Sequence, residues 1–285
     1  MGIELASALV TTDWLAEHRK NSTIRIVDAS WYLPTMNRNG AAEYKVGHIP
    51  GAVFWDIDDI ADGKSPLPHM FPSPEIFSKH MQRLGISNET AVIIYDGMGL
   101  FTAARPWWML RAFGHERVAI LDGGLPKWIA EGNPVTDRQT NDQAAQFTAK
   151  FRPEMVRNFA QVLENLNSKT EQILDARALG RYEGSEPEPR PNCRAGHIPE
   201  SHNLPYDHLI DPQTKMVLPK NCLKGRYTDA GINFDKPVVT SCGSGVTACI
   251  LALGLHLLGK DDIAVYDGSW SEWGTSPEAP IETII

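Results

Sequence analysis

Apolar residues in this chain gather in short blocks, and between the blocks they recur at helical spacing. Ile24–Asp28, Val92–Tyr95 and Val118–Leu121 are rich in β-branched and aliphatic side chains, which suits buried strands. Glu75–Leu84 and Arg105–Phe113 read as helices. Strand and helix alternating in this way predict an α/β fold, a parallel sheet with helices on both faces. Ligands of such sheets sit beyond the carboxyl ends of the strands.

The pattern occurs twice. I-V-D-A at Ile26–Ala29 returns as I-L-D-A at Ile173–Ala176, and G-H-I-P at Gly47–Pro50 returns at Gly196–Pro199. Ala91–Gly99 matches Pro237–Gly245, and Leu121–Trp128 matches Tyr266–Trp273. The offsets of 147, 149, 146 and 145 keep both order and spacing, so the chain holds two tandem copies of one domain. We expect an N-terminal domain over 8–132 and a C-terminal one over 158–280. A linker over 133–157 is expected between them, because Asn133–Gln146 is polar and lacks a core-forming stripe.

The stretch around which the rest is arranged is Val238–Leu253, V-V-T-S-C-G-S-G-V-T-A-C-I-L-A-L. It opens as a strand and closes on the helix formers Ala248, Ile250, Leu251 and Leu253. Between them Cys242 stands at the strand's carboxyl end. Gly243 and Gly245 lack Cβ, so the backbone can turn several N–H groups toward one centre. The helix that follows adds its own unpaired donors and the positive end of its dipole. An anion is wanted there, and a Cys242 thiolate supplies it. Thr247 can join the cradle or simply cap the helix. Ser244 can hydrogen-bond sulfur or substrate, protonate a leaving group, or be no more than a small loop residue. Cys249 lies inside the apolar helix and reads as packing; Cys193 and Cys222 fall in loop-like sequence and receive no role.

Composition narrows the partners. With 27 Lys and Arg against 35 Asp and Glu, the 285-residue chain carries a net charge of −8, which disfavours nucleic acid. Four cysteines in a chain of this length are no disulfide framework, and no C-x-x-C occurs, so neither structural zinc nor a thioredoxin-type dithiol is expected. No metal and no cofactor is expected. Reduced thiols point to a cytoplasmic location. The N-terminus has Glu4 and no basic region before its apolar residues, unlike a secretory signal, and Ala6 stands where a myristoylation site needs Ser or Thr. Ala248–Leu258, the longest apolar run, is too short to span a bilayer, so no membrane partner is expected.

Other residues have two readings. Arg181 and Arg190 lie nine apart in G-R-Y-E-G-S-E-P-E-P-R, whose prolines forbid a continuous helix. The planar guanidinium suits a carboxylate. Taken alone the segment reads as a solvated loop with salt bridges to Glu183, Glu186 or Glu188. His48 and His197 share the G-H-I-P context although only one copy has the cysteine, which argues for a structural task; a relay role for His48 is the alternative. Trp31 either walls the site or belongs to the core.

Two rival chemistries fail on spacing. Gly243–Ala248 matches a relaxed G-x-G-x-x-A dinucleotide fingerprint, but only about forty residues follow, too few for the further βα units required. A cysteine phosphatase needs C-x5-R, and Ala248 stands at the arginine position. A non-enzymatic carrier or regulatory module is the remaining alternative.

From about Ala8 to Pro280 the chain resembles the tandem rhodanese-type sulfurtransferases, most closely their mercaptopyruvate branch. Tyr44–Ala52 (Y-K-V-G-H-I-P-G-A) looks like the family's first signature and Tyr266–Trp273 (Y-D-G-S-W-S-E-W) like its second. C-G-S-G-V-T-A is similar to the mercaptopyruvate loop, whereas the thiosulfate branch usually carries two basic residues at Gly243 and Ser244. The resemblance implies that the second copy catalyses and that the first, with Asp96 opposite Cys242, has lost its cysteine. It implies that Cys242 takes sulfur from 3-mercaptopyruvate as a persulfide and hands it to a thiol such as thioredoxin or glutathione, or to cyanide. Thiosulfate is the alternative donor. Arg181 and Arg190 map onto the substrate-carboxylate pair, and the amides of Gly243, Gly245, Val246 and Thr247 onto the cradle for the sulfur anion. Where some members place an acid before the first-copy histidine, as part of a serine–histidine relay, this chain has Asn39.

Overall fold

The computed structural model describes residues 3–140 and 145–284. Met1 and Gly2 of the N-terminal segment and residues 141–144 of the expected linker lie outside the described residues. The chain divides into two compact units, Met1–Gly63 with Pro72–Phe151 and Asp211–Val217, and Lys64–Phe71 with Arg152–Ile210 and Leu218–Ile285.

In the first unit the strands are β1 (Leu9–Val10), β2 (Ile24–Asp28), β3 (Ala52–Phe54), β4 (Ala91–Tyr95) and β5 (Val118–Leu121). In the second they are β6 (Val156–Arg157), β7 (Gln172–Asp175), β8 (His202–Asn203), β9 (Val238–Ser241) and β10 (Ile263–Tyr266). The sheet orders are β1-β5-β4-β2-β3 and β6-β10-β9-β7-β8, the same path taken twice, and these strands pair in parallel throughout. Strands β4 and β9 lie at the centres and are buried along their whole length, which is why they read as unbroken apolar runs rather than alternating ones.

Helices fill the connections. They are α1 (Thr12–His18), α2 (Gly40–Val46), α3 (Pro74–Arg83), α4 (Ala104–Ala112) and α5 (Gly124–Ala130), then α6 (Phe159–Ser168), α7 (Leu179–Glu183), α8 (Lys220–Asp229), α9 (Ala248–Leu257) and α10 (Ser269–Trp273). Local chemistry sets several starts. Ser73 accepts from the Ile76 amide and is followed by Pro74, while Asn158 and Gln161 form a reciprocal capping box on α6. Among the described residues no helix is long and apolar enough to cross a membrane.

The described residues of 133–157, expected as linker, are more closely tied than their polarity suggests. Trp128 donates to the Pro134 carbonyl at 2.8 Å, as Trp273 does to that of Pro280. Thr136 bridges His48, as Glu282 bridges His197. The buried Phe147 packs edge-on to Phe77, and Val156–Arg157 is already a strand.

One feature of the units follows the repeat. Lys64–Phe71 comes after β3 in the chain but folds with the second unit, and Asp211–Val217 comes after β8 but folds with the first. In the second unit the Asp267 carboxylate accepts from the Phe71 amide at 2.8 Å; in the first, Asp122 accepts from the Val217 amide at 2.8 Å. Each copy contributes an arm to the other copy's fold.

Candidate active site

Cys242 follows β9, the central strand, and is 2% exposed. The next five residues turn the chain into α9, with Gly245 at φ +73°, a conformation that favours glycine. The loop's carbonyls are pulled outward. Trp270 N donates to Cys242 O at 2.9 Å and Ser271 N to Gly243 O at 2.8 Å, with Ser271 Oγ on the same oxygen at 2.5 Å. Cys242 N donates to Ser269 Oγ at 3.1 Å, and that hydroxyl donates to Tyr266 O at 2.8 Å. The D-G-S-W-S stretch thus anchors the back of the loop. Thr247 adopts helical angles and makes no side-chain cap.

The first copy shows what such a loop holds. Asp96, the counterpart of Cys242, is 1% exposed, and its carboxylate accepts from the amides of Met98, Phe101, Thr102 and Ala103 at 2.7 to 2.9 Å. A carboxyl group that takes four amides therefore stands at the loop position that Cys242 has in the second copy. The positions matching Met98 and Phe101 are Ser244 and Thr247. Among the described residues, the amides of Gly243, Ser244, Val246 and Thr247 donate to no protein acceptor. That leaves them for an anion on or beside Cys242.

Arginines surround the front of the loop. A Cβ built on Gly243 would stand 3.2 Å from Arg190 Nη1 and 3.4 Å from Arg181 Nη2, so the missing side chain is what admits both guanidinia. Arg190 Nη2 donates to Ser244 Oγ at 3.0 Å. Arg181 gives its Nε and Nη2 to the two oxygens of Glu188 at 3.2 and 2.5 Å. That pairing differs from the solvated loop that the sequence suggests, because Glu188 is nearly fully buried. Glu188 also takes Arg177 Nη1 at 2.7 Å, while Arg177 clasps Asp175 and stacks over Trp270 at 4.1 Å. Arg177 and Arg181 meet the two carboxylates of Asp175 and Glu188, and Arg190, on the Ser244 hydroxyl, adds a further positive charge beside the loop.

Ser244, 5% exposed, has a second neighbour that sequence reasoning missed. His69 Nδ1 lies 3.1 Å from Ser244 Oγ. With Arg190 donating to that oxygen, the hydroxyl proton is free to point at the imidazole. His69 is buried and held at φ +61°, uncommon for a residue with a side chain. Its counterpart Lys215 has the same φ of +61°, against Gly99 in the first unit. No local signal in P-L-P-H-M marks His69 as a site residue.

His48 has another task. Its Nδ1 faces Tyr44 O at 2.7 Å and its Nε2 faces Arg138 O at 3.1 Å, with the ring stacked on Tyr44. His197 repeats this, with Nδ1 on Tyr182 O at 2.8 Å and its ring on Tyr182. Both histidines fasten the end of their own domain. Both nitrogens of His48 thus face backbone carbonyls rather than a hydroxyl. Asn39 caps α2 by accepting from Ala42 N. Trp31 donates to Asp58 at 3.1 Å. Of the other thiols, Cys249 is buried and donates to Gly245 O, Cys222 is exposed, and burial pushes the half-buried Cys193 up to about 11.

The chain matches the rhodanese-like domain family over residues 11–131 and again over 158–276. It is 44% identical to thiosulfate/3-mercaptopyruvate sulfurtransferase 1, mitochondrial, of Arabidopsis thaliana, over 99% of this chain and 80% of that protein. It is 41% identical to the 3-mercaptopyruvate sulfurtransferase of Homo sapiens, over 95% of this chain and 93% of that one. Its fold matches the crystal structure of SseA from Escherichia coli, described as a 3-mercaptopyruvate sulfotransferase with the rhodanese fold, at a TM-score of 0.85 and 40% identity, covering 93% and 99% of the two chains. With the family's domain matched in both halves and such identity across nearly its whole length, the chain belongs to the rhodanese family.

Proposed function

We propose that the protein is a sulfurtransferase that takes sulfur from 3-mercaptopyruvate onto Cys242 and passes it to a thiol, of the thioredoxin or glutathione kind, or to cyanide. Arg190 and the free edge of Arg181 receive the donor's carboxylate. The Cys242 thiolate attacks the donor sulfur, the C–S bond breaks, and its electron pair passes to C3 as an enolate. Ser244, between Arg190 and His69, relays the proton of the donor's sulfhydryl to C3, giving pyruvate and leaving the outer sulfur as a persulfide anion. The terminal sulfur of the resulting persulfide is held by the amides of Gly243 to Thr247. An acceptor thiolate then attacks that sulfur and regenerates Cys242.

The observation that carries the donor assignment is the pair of guanidinia converging on the side-chain space of Gly243. Thiosulfate, named with mercaptopyruvate for one relative, is the second reading. Purified protein treated with each donor separately tests both. Mercaptopyruvate should add about 32 Da, one sulfur, at Cys242 and should turn over faster than thiosulfate. No added mass from either donor would end the reading, and faster thiosulfate turnover would reverse the donor. Free thiols among the described residues fit a reducing compartment, whether cytoplasm or a mitochondrial interior.

A further inference from the structure

His69 reaches Ser244 on an arm that another residue must hold. The arm, Lys64–Phe71, is part of the second unit although it follows the first copy's β3. His69 sits in the left-handed region, so its direction depends on what fixes the residues beside it. Two positions on, the Phe71 amide donates to Asp267 Oδ2 at 2.8 Å. Asp267 is 5% exposed and is itself fixed to the sheet, its amide donating to Arg157 O at 3.1 Å. It directly precedes Gly268 and the Ser269–Ser271 segment that anchors the carbonyls of Cys242 and Gly243. One buried carboxylate therefore ties the arm that carries the histidine to the segment that holds the nucleophile's loop.

We propose that Asp267 is a positioning residue, setting the His69–Ser244 pair through the Phe71 amide. This rests on the sulfurtransfer reading. Only about two residues, at most roughly 7 Å of extended chain, separate the anchor from His69. Misplacing a catalytic group by about 1 Å can cost on the order of 100-fold in rate. The Phe71 amide needs an acceptor at Oδ2, which the carbonyl of an asparagine also supplies.

The repeat supplies its own control. Asp122 makes the same bond to Val217 in the first unit, on the arm that carries Lys215, where the nucleophile's place is taken by Asp96. A purely structural role predicts equal consequences for the two aspartates. A positioning role does not.

The test compares Asp267→Ala, Asp122→Ala, Asp267→Asn, His69→Ala and the Asp267→Ala/His69→Ala double variant in the full chain. Denaturation and steady-state mercaptopyruvate turnover are measured for each. Expected are similar stability losses for the two alanine variants, a 10- to 100-fold lower kcat for Asp267→Ala with KM within about threefold, and kcat within about twofold of wild type for Asp122→Ala. Asp267→Asn, which keeps an acceptor, should restore most of kcat, and the double variant should be no slower than His69→Ala alone. Should Asp267→Ala fail to fold, Asp267→Ser, whose short side chain cannot reach the arm, carries the same expectation. Equal kcat for the Asp267 and Asp122 variants, or fully additive losses in the double, would overturn the proposal. A wild-type protein that takes no sulfur from mercaptopyruvate would instead overturn the underlying function.

Discussion

Placing aspartate at position 242 should abolish sulfur transfer and yet stabilise the second unit relative to Cys242→Ala. A buried charge normally destabilises, so the expectation is a sharp one. It comes from Asp96, which accepts four amides at 2.7 to 2.9 Å in the equivalent loop at 1% exposure. A hydrogen bond to a charged group contributes about 1.5–3 kcal/mol net. Ser244 N and Thr247 N are unspent, whereas Cys249 N, matching Ala103 N, already donates to Val246 O at 3.2 Å. Two or three such bonds, together with the excess positive charge of the arginines, stand against a desolvation cost of several kcal/mol. A net gain of about 2 kcal/mol over Cys242→Ala results, or roughly 5 °C for a unit of this size. Urea denaturation and calorimetry of the two variants at one pH provide the measurement. If Cys242→Asp is no more stable than Cys242→Ala, the loop is not built for negative charge and the cradle argument fails.

Arg190→Ala should lower kcat/KM for mercaptopyruvate about 10- to 100-fold, the loss of one charge-assisted bond of about 1.5–3 kcal/mol, and should lower thiosulfate use much less. Parallel steady-state assays decide, and equal losses would contradict the carboxylate assignment. Asp28 offers a pH test. Burial pushes its carboxyl up to about 6, with the nearby Asp96 adding to the rise and its bonds to Ser30 and Tyr95 opposing it. An acid raised in the folded state holds its proton more tightly there, so stability is lost as pH climbs from about 4 to about 6. Asp28→Asn should therefore stabilise the first unit by up to about 3 kcal/mol at pH 7 and by almost nothing at pH 4, read from denaturation at both values. A gain that persists at pH 4 would assign the effect to something other than ionisation.

Periodicity and spacing, both local properties, were enough to define the two copies, their parallel strands and the position of Cys242 at a strand end. Strands β4 and β9 announce themselves because burial on both faces demands apolar residues in succession. The paired G-H-I-P motifs could be matched from sequence, and in each copy the histidine Nδ1 faces a tyrosine carbonyl. Arg181 and Arg190 could be named, but their state could not. Whether a loop carboxylate is solvated or buried against Arg177, as Glu188 is, depends on which side chains pack over it. His69 was beyond reach of the sequence. It is 175 residues from Ser244, on an arm that folds with the other copy, and its neighbours carry no periodic signal. Local patterns are written by each element's own burial and backbone needs. The meeting of Ser244, His69 and Arg190 is decided by how distant segments close on one another, which only the folded chain expresses.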